Sequence, residues 1–412
     1  EEKNIKEVEI ETNQIIFTDT DGNYYTGSAF SQAVFDRYLQ HFDRITLLMR
    51  KADVAPDDAE TLGRMNKLDT SRINVVLLPN PTASLRSFFN IKLRRRFKKI
   101  VIDNITPDRA VIIRVPSDSG AIAAKYCRSI GKPFLVEAVG CPWDSLWNHS
   151  LRGKVLAPFA WMRFRRTMMH ADYAVYVTDE FLQRRYPTHG KAAAISDVEL
   201  QPVDDSVLEK RLEKIKNHSG SVKLATAAAV NVSYKGQRYV IEALAKLKER
   251  GITNFEYHMA GGGDNSSLKV LAQRLNVEEQ VVFEGSLPHD KMFAWLDDMD
   301  VYIQPSVVEA MPRALIEAMS RGLPCLASSV GAMPELVGEK CIFDKKDSDA
   351  IAGHLAKIST DEVMNMSKRN FEHAKAFQKD ILEAKRYEIY AEFAEKAVSS
   401  ISGNCCTGNK TK

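Results

Sequence analysis

Two carboxylates, Glu309 and Glu317, stand eight positions apart in the run VVEAMPRALIEAMSRGLP, residues 307–324. Pro312 lies between them and suits a first helical position, where its fixed φ costs nothing and its missing N–H is not needed. The helix expected from there runs Pro312 to Arg321, closes at Gly322 and is kept from resuming by Pro324. A helix start offers free backbone N–H groups and the positive end of the dipole, and Arg313 adds a full charge beside them. Such a start takes a phosphate. With a hydroxyl-accepting carboxylate on each side, it suits a sugar carried on a nucleoside diphosphate.

Two further segments belong with these acids. Lys235 and Gly236 follow a strand-like run at Lys223–Ala228, and Gly261, Gly262, Gly263 and Asp264 follow another at Phe255–Ala260. A lysine acts as a point charge on phosphate, and a glycine cluster lets backbone approach a ligand closely. In open parallel sheets ligands bind outside the carboxyl ends of the strands, where all three segments fall.

The elements that position them alternate in type. Strands are expected near Ile15–Phe17, Ile45–Met49, Ile73–Leu78, Ala110–Val115, Phe134–Ala138 and Ala174–Thr178. A second set follows near Lys223–Ala228, Phe255–Ala260, Val281–Phe283, Val301–Gln304, Pro324–Ala327 and Cys341–Phe343, with helical stretches between members of each set. Strands alternating with helices imply right-handed βαβ units and parallel sheets. The fold class is therefore α/β, with two Rossmann-like doubly wound parallel-sheet domains facing a cleft. Their expected bounds are 14–203 for the acceptor-binding domain and 221–379 for the nucleotide-sugar domain, divided where the chain turns polar at 203–220. A terminal helix at 380–400 is expected to return to the first domain. The N-terminal dozen residues and the tail from Gly403 read as disordered.

The run 301–337 resembles the Glu-x7-Glu signature of the retaining glycosyltransferases of the GT-B fold, family 4, and looks most like their bacterial polysaccharide-assembly branch. The likeness is strong from Val222 to Glu335. It implies that Glu317 accepts the ribose hydroxyls and that Glu309 positions the donor sugar. Lys235, Arg313 and the backbone of Arg313, Ala314 and Leu315 would stabilise the departing diphosphate, with Gly236, Gly261 and Gly263 shaping the donor pocket. Catalysis would be electrostatic, with no metal and no cofactor beyond the nucleotide sugar, UDP-linked, as co-substrate.

The chain departs from that family twice. Relatives read G-R-L-x-x-x-K-G before the helix after the first strand of the second domain, but Val230 or Asn231 stands here in place of the arginine. Relatives often place a histidine after the strand corresponding to Phe134–Ala138, where this chain reads VEAVGC at 136–141. Glu137, Trp143 and Asp144 are the acceptor-side candidates, although core packing also accounts for Trp143. Asp19-Thr20-Asp21 formally matches a metal-binding D-x-D, yet Asp21-Gly22 is an ordinary turn signal. Two rival readings remain: a nucleotide-sugar epimerase on the same scaffold, and a catalytically idle sugar-nucleotide-binding protein.

Composition narrows the rest. The chain has 412 residues, 44% hydrophobic and 27% charged, with net charge +3, which suits a globular protein of two domains. Six cysteines lie scattered without metal spacing, which points to a reduced, cytoplasmic chain rather than a disulfide framework. The segment 90–100, NIKLRRRFKKI, carries Lys92, Arg94, Arg95, Arg96, Lys98 and Lys99 without an acid, and WMRFRR follows at 161–166. Interleaved with apolar residues, such cations suit an anionic membrane surface. No nucleic-acid reader motif accompanies them. The expected partners are a nucleotide sugar, a glycan or polyprenyl-linked acceptor, and the inner face of the plasma membrane.

Overall fold

The computed structural model describes residues 7–27, 30–52, 62–63, 65–81 and 84–405. The first sheet holds β1 (Glu7–Thr18), β2 (Tyr24–Thr26), β3 (Arg44–Lys51), β4 (Asn66–Lys67), β5 (Ile73–Leu78), β6 (Arg109–Val115), β7 (Leu135–Ala138), β8 (Tyr173–Tyr176) and β9 (Lys191–Ala194). Its parallel core runs β5-β3-β1-β6-β7-β8-β9, and β2 and β4 extend antiparallel from the end of β1. The second sheet holds β10 (Val222–Ala227), β11 (Phe255–Ala260), β12 (Val281–Gly285), β13 (Val301–Gln304), β14 (Cys325–Ser328) and β15 (Ile342–Phe343). Its order is β12-β11-β10-β13-β14-β15, all parallel. Counted from its own first strand, each sheet starts 3-2-1-4-5-6, the doubly wound order that opens a crevice where the direction of winding reverses.

The helices used below are α1 (Gln32–Leu39), α2 (Ile91–Asn104), α3 (Asp118–Ser129), α4 (Pro142–Trp147), α5 (Leu151–Met169), α6 (Gln237–Glu249), α7 (Arg313–Ser320) and α8 (Lys379–Cys405). Several start where the sequence supplies a cap. Ser117 Oγ accepts from Gly120 N at the head of α3, and Ser150 Oγ from Gly153 N at the head of α5, both at 3.1 Å.

The expectation of a disordered N-terminal dozen fails for the residues described. Glu7 to Thr12 form the central part of the first sheet, paired with β3 on one side and β6 on the other; residues 1–6 lie outside the described residues. Val8 and Ile10 are buried on one face, and Glu9 and Glu11 are equally buried on the other. Alternating charge reads as a solvated edge, yet helix α3 covers that face. At the other end α8 extends as helix to Cys405, beyond the Gly403 where disorder was expected; residues 406–412 lie outside the described residues.

The polar stretch 203–220 contains the helix Ser206–Lys216. Its buried Arg211 donates to the carbonyls of Met299, Leu296 and Arg321, which ties the segment to the second sheet's layer. The chain crosses back before α8, whose Leu382, Ile389, Tyr390 and Phe393 join the core cluster of the first sheet. The two crossings touch. Leu200 N donates to Phe377 O and Lys379 N donates to Leu200 O, each at 2.9 Å, around an isolated parallel bridge between Leu200 and Gln378.

Candidate active site

The crevice beyond the carboxyl ends of β10, β11 and β13 holds a cavity of about 310 Å³. Lys235, Gly261, Glu309, Arg313, Ala314 and Glu317 line it together. Helix α7 begins at Arg313, so Pro312 is the cap residue rather than the first helical residue, at φ −83° and ψ 101°. The expectation was one position off. The start of α7 nonetheless lies at the cavity, which Pro312, Arg313 and Ala314 line. The helix ends at Ser320 with Arg321 as its cap, and Gly322 follows at φ +64°, in the left-handed conformation expected of it.

Glu309 is held from two sides. Lys235 Nζ donates to its Oε1 at 2.6 Å, and Ser306 Oγ donates to the same oxygen at 3.0 Å. Behind Ser306 runs a buried chain of donors. Ala227 N–H donates to Tyr302 OH at 3.2 Å, and Tyr302 OH donates to Gln304 Oε1 at 2.9 Å. Gln304 Nε2 then donates to Ser306 Oγ at 2.9 Å. Burial holds the Tyr302 hydroxyl well above its ordinary pKa, so it remains a donor throughout the working pH range. Each link fixes the next, which leaves the Glu309 carboxylate little freedom to rotate.

Two glycines are needed where backbones nearly touch. Gly236 caps α6 at φ +80°, and a Cβ there would lie 2.0 Å from Pro305 O. A Cβ on Gly261 would lie 2.0 Å from Ala228 O. Only glycine lets the Lys235 loop and the loop after β11 close around one space. Gly263 lies beside Asn231 and Leu315 is fully buried in the core, and neither lines the cavity.

Sequence reasoning missed Gln304, Ser306, Tyr302 and Met292. Met292 lines the cavity from the helix His289–Asp298. The signal for the first three was faint: polar residues at the end of an otherwise apolar strand, just before the acid.

The acceptor-side candidates separate. Glu137 is buried and accepts hydrogen bonds from Tyr38, Tyr390 and Arg114. It therefore clamps α1 and α8 to the first sheet, and it lies outside the donor cavity. Asp144 pairs with Arg185 at 2.6 Å. Trp143 packs against the first-sheet core and stacks on Trp147, centroids 5.1 Å apart and planes 11° from parallel. In the D-x-D segment, Asp19 accepts from Asn23 N at 2.8 Å, from Asp21 N at 3.0 Å and from Tyr25 OH at 3.0 Å, and so serves the turn between β1 and β2. Among the described residues no group of three or more His, Cys, Asp or Glu is arranged to hold a metal ion.

With that geometry in place, relatives can be compared. Protein CapJ of Staphylococcus aureus is 31% identical over 329 residues, 79% of this chain and 79% of CapJ. The profile of the family "Glycosyl transferases group 1" matches residues 209–377, the part that carries the cavity. This chain is a group 1 glycosyltransferase. The amylovoran biosynthesis glycosyltransferase AmsK of Erwinia amylovora is 33% identical to the transferase over 138 residues, 31% of this chain and 34% of AmsK. Sucrose-phosphate synthase from Thermosynechococcus elongatus superposes with TM-score 0.61 at 16% identity, over 95% of this chain and all of that one. Anabaena HepE, in complex with UDP, superposes with TM-score 0.55 at 13% identity, over 97% of the transferase and 100% of HepE. The shared architecture is the GT-B fold.

Proposed function

We propose that the transferase moves a sugar from a nucleoside-diphosphate donor, UDP-linked, to a glycan or lipid-linked acceptor, with retention of anomeric configuration and without a metal ion. The acceptor belongs to surface-polysaccharide assembly: capsule, exopolysaccharide or lipopolysaccharide. One observation carries the reading. Lys235, Glu309, Arg313, Glu317 and the start of α7 converge on one cavity at the carboxyl ends of the second sheet.

Two cations and a helix start meet two carboxylates there, which matches a diphosphate flanked by hydroxyl-bearing sugars. Glu317, buried on the first turns of α7, would accept the ribose hydroxyls, and Glu309 the hydroxyls of the donor sugar. Negative charge growing on the departing diphosphate would meet Lys235, Arg313 and the N–H groups of α7. Donors fixed before the reaction cost no reorganisation at the transition state. Arg313 takes the place of the arginine that this chain lacks at Val230 or Asn231. UDP among the ligands of superposable chains supports the base, and AmsK supports the polysaccharide setting.

The exposed cations of α2, namely Lys92, Arg94, Arg95, Arg96, Lys98 and Lys99, add contact with an anionic membrane surface. Among the described residues no helix is long and apolar enough to cross a membrane.

The deciding experiment offers a panel of nucleotide sugars to wild type and to Glu309→Ala. Hydrolysis or transfer that disappears in the variant supports the reading. Donor binding without turnover by wild type favours the idle sugar-nucleotide-binding protein, for which the absent arginine and histidine are the argument.

A further inference from the structure

Helix α5 is apolar on two opposite faces. Gly153, Ala157, Phe164 and Met168 are buried against the first domain. Leu151, Val155, Phe159 and Met162 point outward, 80%, 67%, 63% and 51% exposed. At 3.6 residues per turn these four fall within an arc of about 80°. An outward stripe of four bulky apolar side chains has no counterpart on an ordinary solvated helix, whose outer face is polar.

The charge around the stripe is one-sided. Helix α5 carries Arg152, Lys154, Arg163, Arg165 and Arg166 and no acid. Neighbouring α2 opens with exposed Ile91 and six cations before its first acid, Asp103. A cavity of about 870 Å³ lies between α2, α3 and α5. Phe97, Ile122, Leu156 and the outer Phe159 are among its apolar lining residues, while Arg94, Lys125 and Arg128 bring cations to it. Asp118 is the acid on its wall, and it pairs with Arg163.

We propose that α5 lies in the plane of an anionic bilayer, its Leu151–Met162 stripe sunk among the acyl chains and the cations of α2, α3 and α5 gathered on lipid phosphates. This extends the electrostatic contact proposed above to insertion, and it does not depend on which sugar is transferred. Apolar residues crowning a cationic surface match a bilayer, with hydrocarbon beneath anionic headgroups. A second copy of the same face would oppose cation to cation. A nucleic-acid backbone would meet the charges but leave Val155 and Phe159 in water.

Flotation with phosphatidylglycerol vesicles at low salt and at about 0.5 M salt, where the Debye length is near 4 Å, separates insertion from charge. The wild type is expected to bind at low salt, to weaken at high salt and to keep a salt-resistant fraction. Val155→Asp with Phe159→Asp should lower partitioning about tenfold or more and abolish that fraction. The melting temperature and donor hydrolysis without vesicles should stay unchanged, because both side chains are exposed. Arg95→Ala with Arg96→Ala should lower low-salt binding alone. In Phe159→Trp the emission should shift to the blue on vesicles and be quenched by brominated acyl chains. Complete release at high salt, or unquenched Phe159→Trp emission, overturns insertion while leaving charge contact standing. Absence of low-salt binding overturns both, and a wild-type dimer that the double aspartate variant dissociates overturns insertion.

Discussion

Lys235 Nζ rests 2.6 Å from Glu309 Oε1, although 74 positions separate the two residues in the chain. The glycine at 236 and the Ser306 hydrogen bond bring them together. On the proposed reading a donor phosphate would compete with the Glu309 carboxylate for this lysine. Lys235→Ala should therefore reduce kcat/KM by about 10²–10³-fold, the cost of removing one fixed donor to developing charge. Steady-state kinetics on the active donor checks this, and a change under threefold would contradict the role.

Arg313 is exposed at the cavity edge, on the first residue of α7. Arg313→Ala should raise the donor KM several-fold, consistent with loss of about 1 kcal/mol from a partly screened charge. An unchanged donor KM would remove Arg313 from diphosphate binding.

A ligand that binds only the folded state raises the melting temperature. UDP should stabilise the transferase more than GDP or ADP at equal concentration, and Glu317→Ala, which removes the acceptor for the ribose hydroxyls common to all three, should shrink every shift. Equal shifts with all three nucleotides would dispose of the uridine assignment.

Gly236→Ala and Gly251→Ala form a matched pair. Both glycines have positive φ, +80° and +77°, but a Cβ meets Pro305 O at 2.0 Å in the first and open space in the second. The Gly251 variant should lose about 1 kcal/mol from backbone strain alone. The Gly236 variant should lose at least about 2 kcal/mol, with weaker donor binding besides. Denaturant melts and nucleotide titration measure the two effects.

Glu9 and Glu11 set a pH dependence. Burial raises both carboxyls above the ordinary value of 4.5, and in Glu9 the neighbouring charge of Glu11 adds to it against Arg109 and Lys132. In the folded chain they keep protons that the unfolded chain gives up above about pH 4.5. By linkage, folding stability then falls as pH rises from there through neutrality. Glu9→Gln should flatten that decline and raise the melting temperature at pH 9. A wild-type melting curve that climbs between pH 5 and 9, with Glu9→Gln no better, would contradict the burial argument.

The second domain was largely legible in the chain. Strand β13 coincides with the apolar run Val301–Gln304, as expected of a parallel strand covered on both faces, and β11 with Phe255–Ala260, where Phe255, Tyr257 and Met259 alternate with Glu256 and His258. The helix after Pro312 announced itself through its proline, its acids and its closing glycine. What stayed hidden depended on tertiary neighbours. Nothing local distinguishes Glu9 and Glu11 from surface carboxylates, since α3 is what covers them. Glu137 lies just where a substrate contact would be sought, and only the return of α8 with Tyr390 shows what it holds. The donor chain from Tyr302 through Gln304 to Ser306 is local, but its first link, from Ala227 N–H, needs β10 beside β13. The basic stretch 161–166 of α5 was legible, but its outward apolar stripe was not, because two apolar faces cancel the periodicity that marks an amphipathic helix.

The pairing of Leu200 with Gln378 carries a mechanical consequence. Both chain crossings between the sheets run side by side and share hydrogen bonds, so twisting one half against the other would shear them. Bending about their common line would not. Bending is therefore the softer of the two deformations, because it leaves both hydrogen bonds in place.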